Sequence, residues 1–85
     1  MTTIKLQHPF KKADGTQCAE VTLRRPLVRD IRIMHNSGGT DFDKGSRLAA
    51  NLAELSPDDI DRMDAADFSE IERTVQGFVS PRATN

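Results

Sequence analysis

The sequence predicts an α+β fold, an N-terminal β-hairpin followed by about four short helices. Three features carry that reading: two N-terminal runs in which apolar residues alternate, a Gly- and Pro-punctuated middle, and helix-start signals placed ahead of apolar residues spaced three and four apart.

Ile4, Leu6, His8 and Phe10 share one parity, as do Ala19, Val21 and Leu23, and Asp14-Gly15 lies between the two runs. Alternation on both sides of a turn dipeptide reads as a hairpin. The competing reading is an irregular loop from Pro9 to Gln17, because Pro9 has no N–H to give to a strand ladder.

Beyond Arg24-Arg25, Pro26 suits a first helical turn, and Leu27, Ile31 and Met34 follow at the spacing of one helix face. A helix from about Pro26 to His35 is expected, stopped by Asn36-Ser37-Gly38-Gly39, since Gly and Asn enter the left-handed region at little cost. Thr40-Asp41-Phe42-Asp43 then has the form of a capping box, ahead of Leu48, Leu52 and Leu55 with Ala49 and Ala53 beside them. Gly45 weakens the first turn of this second helix, so its start is expected to slip.

Ser56-Pro57-Asp58-Asp59 is a third start signal: a cap, a proline pre-set for the first helical position, and acids at the positive helix end. That short helix should run to about Met63. Asp64 and Asp67 repeat the cap logic before Phe68, Ile71, Val75, Phe78 and Val79, which gather on one side of a helix. Residues 1–79 therefore read as one small domain, and Ser80 to Asn85, polar and interrupted by Pro81, as a frayed tail.

Composition narrows the function classes. The 85 residues are 36% hydrophobic and 29% charged, without Trp or Tyr, which is a foldable composition with a thin core. A single cysteine, Cys18, closes no intrachain disulfide, and no apolar run approaches a membrane span or a signal peptide, so a cytoplasmic protein is expected. The formal net charge is −1, which argues against a nucleic-acid partner held by the field of the whole molecule.

No catalytic, cofactor or metal site is expected. His8, His35 and Cys18 come from separate elements without the paired spacings that pre-organise zinc, and a lone strand cysteine reads as a small apolar residue. The acids Asp58, Asp59, Asp61, Asp64 and Asp67 lack the central Gly and terminal Glu of a calcium loop and read as caps and a solvated face. Gly38-Gly39-Thr40 lacks the Lys-Ser/Thr pair of a phosphate loop.

What remains is a surface for a protein partner. Arg24, Arg25, Arg29 and Arg32 form the one basic stretch, and Ile33 falls opposite the Leu27/Ile31/Met34 stripe at ~100° per residue. Phe42 sits in a glycine-flanked segment. Arg25, Arg29, Arg32, Ile33 and Phe42 are accordingly the candidate partner-binding residues, against the plainer reading of a charged solvated helix with singly exposed apolar residues.

Three segments together resemble a known family. Arg24, Pro26, Arg29 and Asp30 follow an R-x-P-x-x-R-D pattern; Leu52, Leu55, Pro57, Ile60, Asp61 and Met63 follow L-x-x-L-x-P-x-x-I-D-x-L with Met in the last position; Ala65, Asp67 and Phe68 follow A-x-D-F. In this order the chain from Val21 to Phe68 resembles the small tail assembly chaperones of contractile-tailed phages and prophages of the Mu and P2 type. It departs from them at Met63, a volume-conserving change, and in its flexible Asn36–Gly39 loop. The resemblance implies a protein that binds the tape-measure protein, keeps it soluble while tail subunits assemble around it, and then leaves. It also implies a longer frameshifted product of the same gene in many such phages. The rival readings are a small DNA-binding regulator, since adjacent short helices imitate a helix-turn-helix, and a structural tail or baseplate subunit. Self-association is left open.

Overall fold

The computed structural model describes residues 1–79. Its elements are β1 (Thr2–Lys11), β2 (Gln17–Leu23), α1 (Val28–Asn36), α2 (Asp41–Ala53), α3 (Pro57–Arg62) and α4 (Ala65–Val79), so the α+β architecture of one hairpin and four helices holds. Residues 80–85, expected above as a tail, lie outside the described residues.

β1 and β2 pair antiparallel around a tight turn in which the Gly15 N–H donates to the Lys12 carbonyl at 2.9 Å and Gly15 takes φ +89°. The segment from Pro9 to Gln17 is thus a strand end and a turn, not an irregular loop. Pairing is nevertheless interrupted. Lys5 faces Glu20 but Phe10 faces Cys18, so Leu6 to Pro9 bulge against the single residue Ala19. Such an insertion re-aims side chains. It breaks the alternation read from the sequence: Leu6, Val21 and Leu23 do point into the core, but Cys18 points inward in place of Ala19, and His8 is exposed.

A two-stranded sheet is marginal alone and needs helices on one face. Leu6, Cys18, Val21 and Leu23 meet Leu48, Ala49, Ala50 and Leu52 of α2, Ile60 and Met63, and Phe68, Ile71 and Val75 of α4 in one apolar cluster. Leu23, Leu52 and Ile71 are its fully buried side chains. Ala49, also without exposed surface, lets other elements come close to the middle of α2.

Two helix boundaries differ from expectation for local reasons. α1 begins at Val28, not Pro26, because Leu27 is the extended N-cap residue and its N–H donates to the Asp30 carboxylate at 2.7 Å. α2 does not slip despite Gly45. The Thr40 hydroxyl accepts from the Asp43 N–H at 3.1 Å and the Asp43 carboxylate accepts from the Thr40 N–H at 3.0 Å, which fixes the first turn reciprocally. α2 ends before Leu55, at Glu54 in the left-handed conformation, and the Arg24 N–H of the strand exit donates to the Leu52 carbonyl of its last turn at 3.1 Å.

The acidic residues do more than cap. Asp30, Asp59 and Asp67 are buried, and each accepts hydrogen bonds from another part of the chain. Asp59 completes the Ser56 capping box and also takes the Ala13 N–H of the hairpin turn at 2.8 Å. Asp67 takes the Gln7 and His8 N–H groups of the bulge at 3.0 and 2.9 Å, while Asp64 does the capping of α4. Of the acidic run, Asp58 and Asp61 are exposed, as a solvated face requires, but Asp59 and Asp67 join the helices to the hairpin.

Candidate functional site

The basic stretch divides on folding. Arg24 is withdrawn from solvent chemistry: its two Nη atoms donate to the two Asp30 oxygens at 2.8 and 2.9 Å. That bidentate pairing, with the Leu27 N–H, holds the Asp30 carboxyl at a pKa of about 2. Arg25 lies over the Phe78 ring at 5.4 Å and is otherwise exposed. Arg29, Arg32 and Ile33 lie exposed on α1, and Ile33 keeps 55% of its surface open to solvent.

Phe42 stands apart from this group. It packs edge-on against Phe68 with ring centroids 5.8 Å apart, at the start of α4, and still leaves 61% of its surface exposed. Arg29, Arg32 and Ile33 thus share one helix, Arg25 sits at the end of α4, and Phe42 belongs to a separate patch.

A feature the sequence does not announce lies between α1 and α4. Ile31 and Met34 of α1, Leu48 of α2, and Val75 and Val79 of α4 line an open apolar groove of about 350 Å³. Gly45 forms part of its floor, and His35, Glu72 and Gln76 stand at its edges. Ile31 and Met34 had the spacing of a core stripe and are only half-buried, because α1 leans on α2 and leaves the α4 side open. Val28, 74% exposed, adds to α1's apolar surface on that side: at ~100° per residue it is a near neighbour of Ile31 and His35. The same count puts Arg32 beyond Val28 and Ile33 on the far side of α1. No local pattern separates a stripe that meets a full core from one that meets half of it.

The residues weighed for chemistry are dispersed. The Cys18 side chain is buried in the core, where its thiol donates to the Glu20 carbonyl at 3.4 Å. His8 is exposed on β1 and His35 on α1, and among the described residues no group of three His, Cys, Asp or Glu side chains has the arrangement of a metal site. Among the same residues, no helix is long and apolar enough to cross a membrane. No buried side-chain polar atom there lacks a hydrogen-bond partner.

The structure also explains the motifs that carried the resemblance. Arg24 and Asp30 join strand to helix; Leu52 and Ile60 are core; Pro57 opens α3; Asp67 and Phe68 fix the start of α4 against the hairpin and the core. These motifs mark the fold's joints. No curated protein and no solved structure matches the chain. A family model described as phage tail assembly chaperone proteins, E, or 41 or 14, matches residues 3–80 of the 85. With nearly the whole chain covered by that match, hairpin and all four helices included, the protein belongs to the phage tail assembly chaperone family.

Proposed function

We propose that this protein binds the tape-measure protein of its phage and keeps it soluble in the host cytoplasm while tail subunits assemble. The observation that carries the proposal is the family match over residues 3–80. A tape-measure protein is long and helical, and its apolar stripes need cover until the tube encloses them; a small domain that presents apolar and basic surface on short helices is suited to supply it. The role is one of binding, without bond-breaking chemistry, and residues 1–79 act as its single unit.

Arg25, Arg29, Arg32 and Ile33 are proposed as contacts around α1, with Phe42 as a second, separate contact. Arg29, Arg32 and Ile33 are exposed on α1, so replacing them should cost the fold little, whereas Arg25 and Phe42 also pack on Phe78 and Phe68. Co-expression with the cognate tape-measure protein tests the reading. The soluble yield of that protein should rise several-fold, and the two chains should co-purify and elute together. Unchanged yield with no co-elution would overturn it. Absence of the chain from purified virions would separate a chaperone from a structural tail subunit.

A further inference from the structure

Two exposed surfaces of this chain have opposite charge, and each carries a large apolar side chain. The first is the outer face of α1. Arg29, Arg32, Ile33 and Asn36 stand at i, i+3, i+4 and i+7, so they share the side turned away from Ile31 and Met34, and all four are exposed. Ile33 keeps 55% of its surface in water between two guanidiniums, and neither Arg29 nor Arg32 makes an ion pair among the described residues.

The second is a hollow of about 270 Å³ where the first turn of α2, the end of α3 and the first half of α4 come together. Phe42 forms a wall, edge-on to Phe68, and the buried Met63 and Phe68 lie beneath it. The charged side chains that line it are Asp61 and Glu72, both acidic. Neither makes an ion pair among the described residues, and the arginines that follow them in the chain are already engaged: Arg62 with Asp58 at 3.1 Å, Arg73 with Glu70 at 2.7 Å. Phe42 leaves 61% of its surface in water, so an apolar side chain entering the hollow would cover exposed aromatic surface.

These surfaces do not meet within one chain. No α1 residue lines the hollow, and no ion pair joins the two among the described residues. Between chains, a net charge of −1 gives little overall repulsion. The local charges then select the pairing: α1 against α1 opposes arginines, hollow against hollow opposes carboxylates, and α1 against hollow pairs opposite signs.

We infer that the occupant of the hollow is a second copy of this chain, which inserts Ile33 against Phe42 and sets Arg29 and Arg32 beside Asp61 and Glu72. Donor and acceptor are different surfaces, so the contact is head-to-tail, and every docked copy still offers one unused surface. Association therefore continues past a dimer, into a ring where the rotation closes and a filament where it does not. One apolar anchor with two charge pairs makes a small interface, so the association is reversible, with a dissociation constant on the order of 100 μM. The inference goes beyond the tape-measure reading and does not depend on it.

Sedimentation velocity on the full chain tests it. The parent's average mass should rise with concentration past twice that of the monomer, and raising salt from about 0.05 to 0.5 M should weaken the association several-fold. Ile33→Asp removes the donor and Phe42→Asp the acceptor, and each variant alone should stay monomeric. Mixed in equal amounts they should form a dimer and stop there, because the mixture holds one intact donor and one intact acceptor. Forming that dimer also requires both variants to be folded, and circular dichroism of each checks this independently. A parent that remains monomeric up to about 1 mM would overturn the inference. So would self-association of Ile33→Asp or Phe42→Asp at the parent's strength, which would place the contact elsewhere, or two folded variants that fail to pair when mixed.

Discussion

Arg24 and Asp30 form a two-pronged ion pair, 2.8 and 2.9 Å, across the connection from β2 to α1. Asp30 is 4% exposed, while the Arg24 side chain keeps 33% of its surface in water. The pair is therefore lopsided. Removing Arg24 strands a buried carboxylate, whereas removing Asp30 leaves a guanidinium that swings out to solvent. Arg24→Met should cost about 3 kcal/mol and Asp30→Asn about 2 kcal/mol. Urea unfolding of the two variants measures both, and a larger cost for Asp30→Asn would contradict the account.

The same pair sets an acid limit. The Arg24 guanidinium and the Leu27 N–H hold Asp30 at about 2, below the usual carboxylate value near 3.8. A carboxyl depressed in the folded state stabilises fully above its unfolded pKa and loses that contribution as pH falls through the folded value. Stability should be level above about pH 5 and fall between about pH 4 and 2. Asp59, lowered by the Ala13 and Ser56 N–H groups, adds to the same fall. Asp30→Asn should flatten the curve in that window, as followed by chemical denaturation at a series of pH values.

Asp67 ties the β1 bulge to α4. Asp67→Ala leaves the Gln7 and His8 N–H groups without their carboxylate, and because both residues are exposed, water takes up part of the loss. A cost of about 2 kcal/mol is expected, with Asp67→Asn milder because it keeps one acceptor oxygen. Amide exchange at Gln7 and His8 should accelerate more than at Ile4 or Val21. Uniform acceleration would mean that the bulge has no separate anchor.

Two glycines should respond oppositely to alanine. Gly39 has φ +103°, and a Cβ there would stand 2.7 Å from Asp43 Oδ2 and displace the α2 cap. Gly39→Ala should destabilise by about 1–2 kcal/mol. Gly45 is helical, and a Cβ there would meet Glu72 Oε2 at an ordinary 3.5 Å, so Gly45→Ala should stabilise by about 0.5–1 kcal/mol. Thermal melts of the pair give the signs directly.

Much of this protein follows from local sequence. Reciprocal bonding of Thr40 with Asp43 and of Ser56 with Asp59, Pro57 in a first turn, and the apolar spacing of Phe68, Ile71 and Val75 are all short-range, and each produced the element it implies. Family membership was legible for a related reason: its motifs lie at helix starts and at the strand-to-helix joint, where backbone geometry restricts the residues that fit. What tertiary structure alone decided is where those pieces face. Nothing near Asp67 shows that it would reach Gln7 and His8, about sixty residues back in the chain, or that the resulting bulge would turn Cys18 inward in place of Ala19. Nor could the Ile31/Met34 stripe show that it would meet α2 and leave its α4 side open. A helix's own periodicity states which residues seek burial, but the amount of apolar surface waiting on the other side is a property of the packed chain.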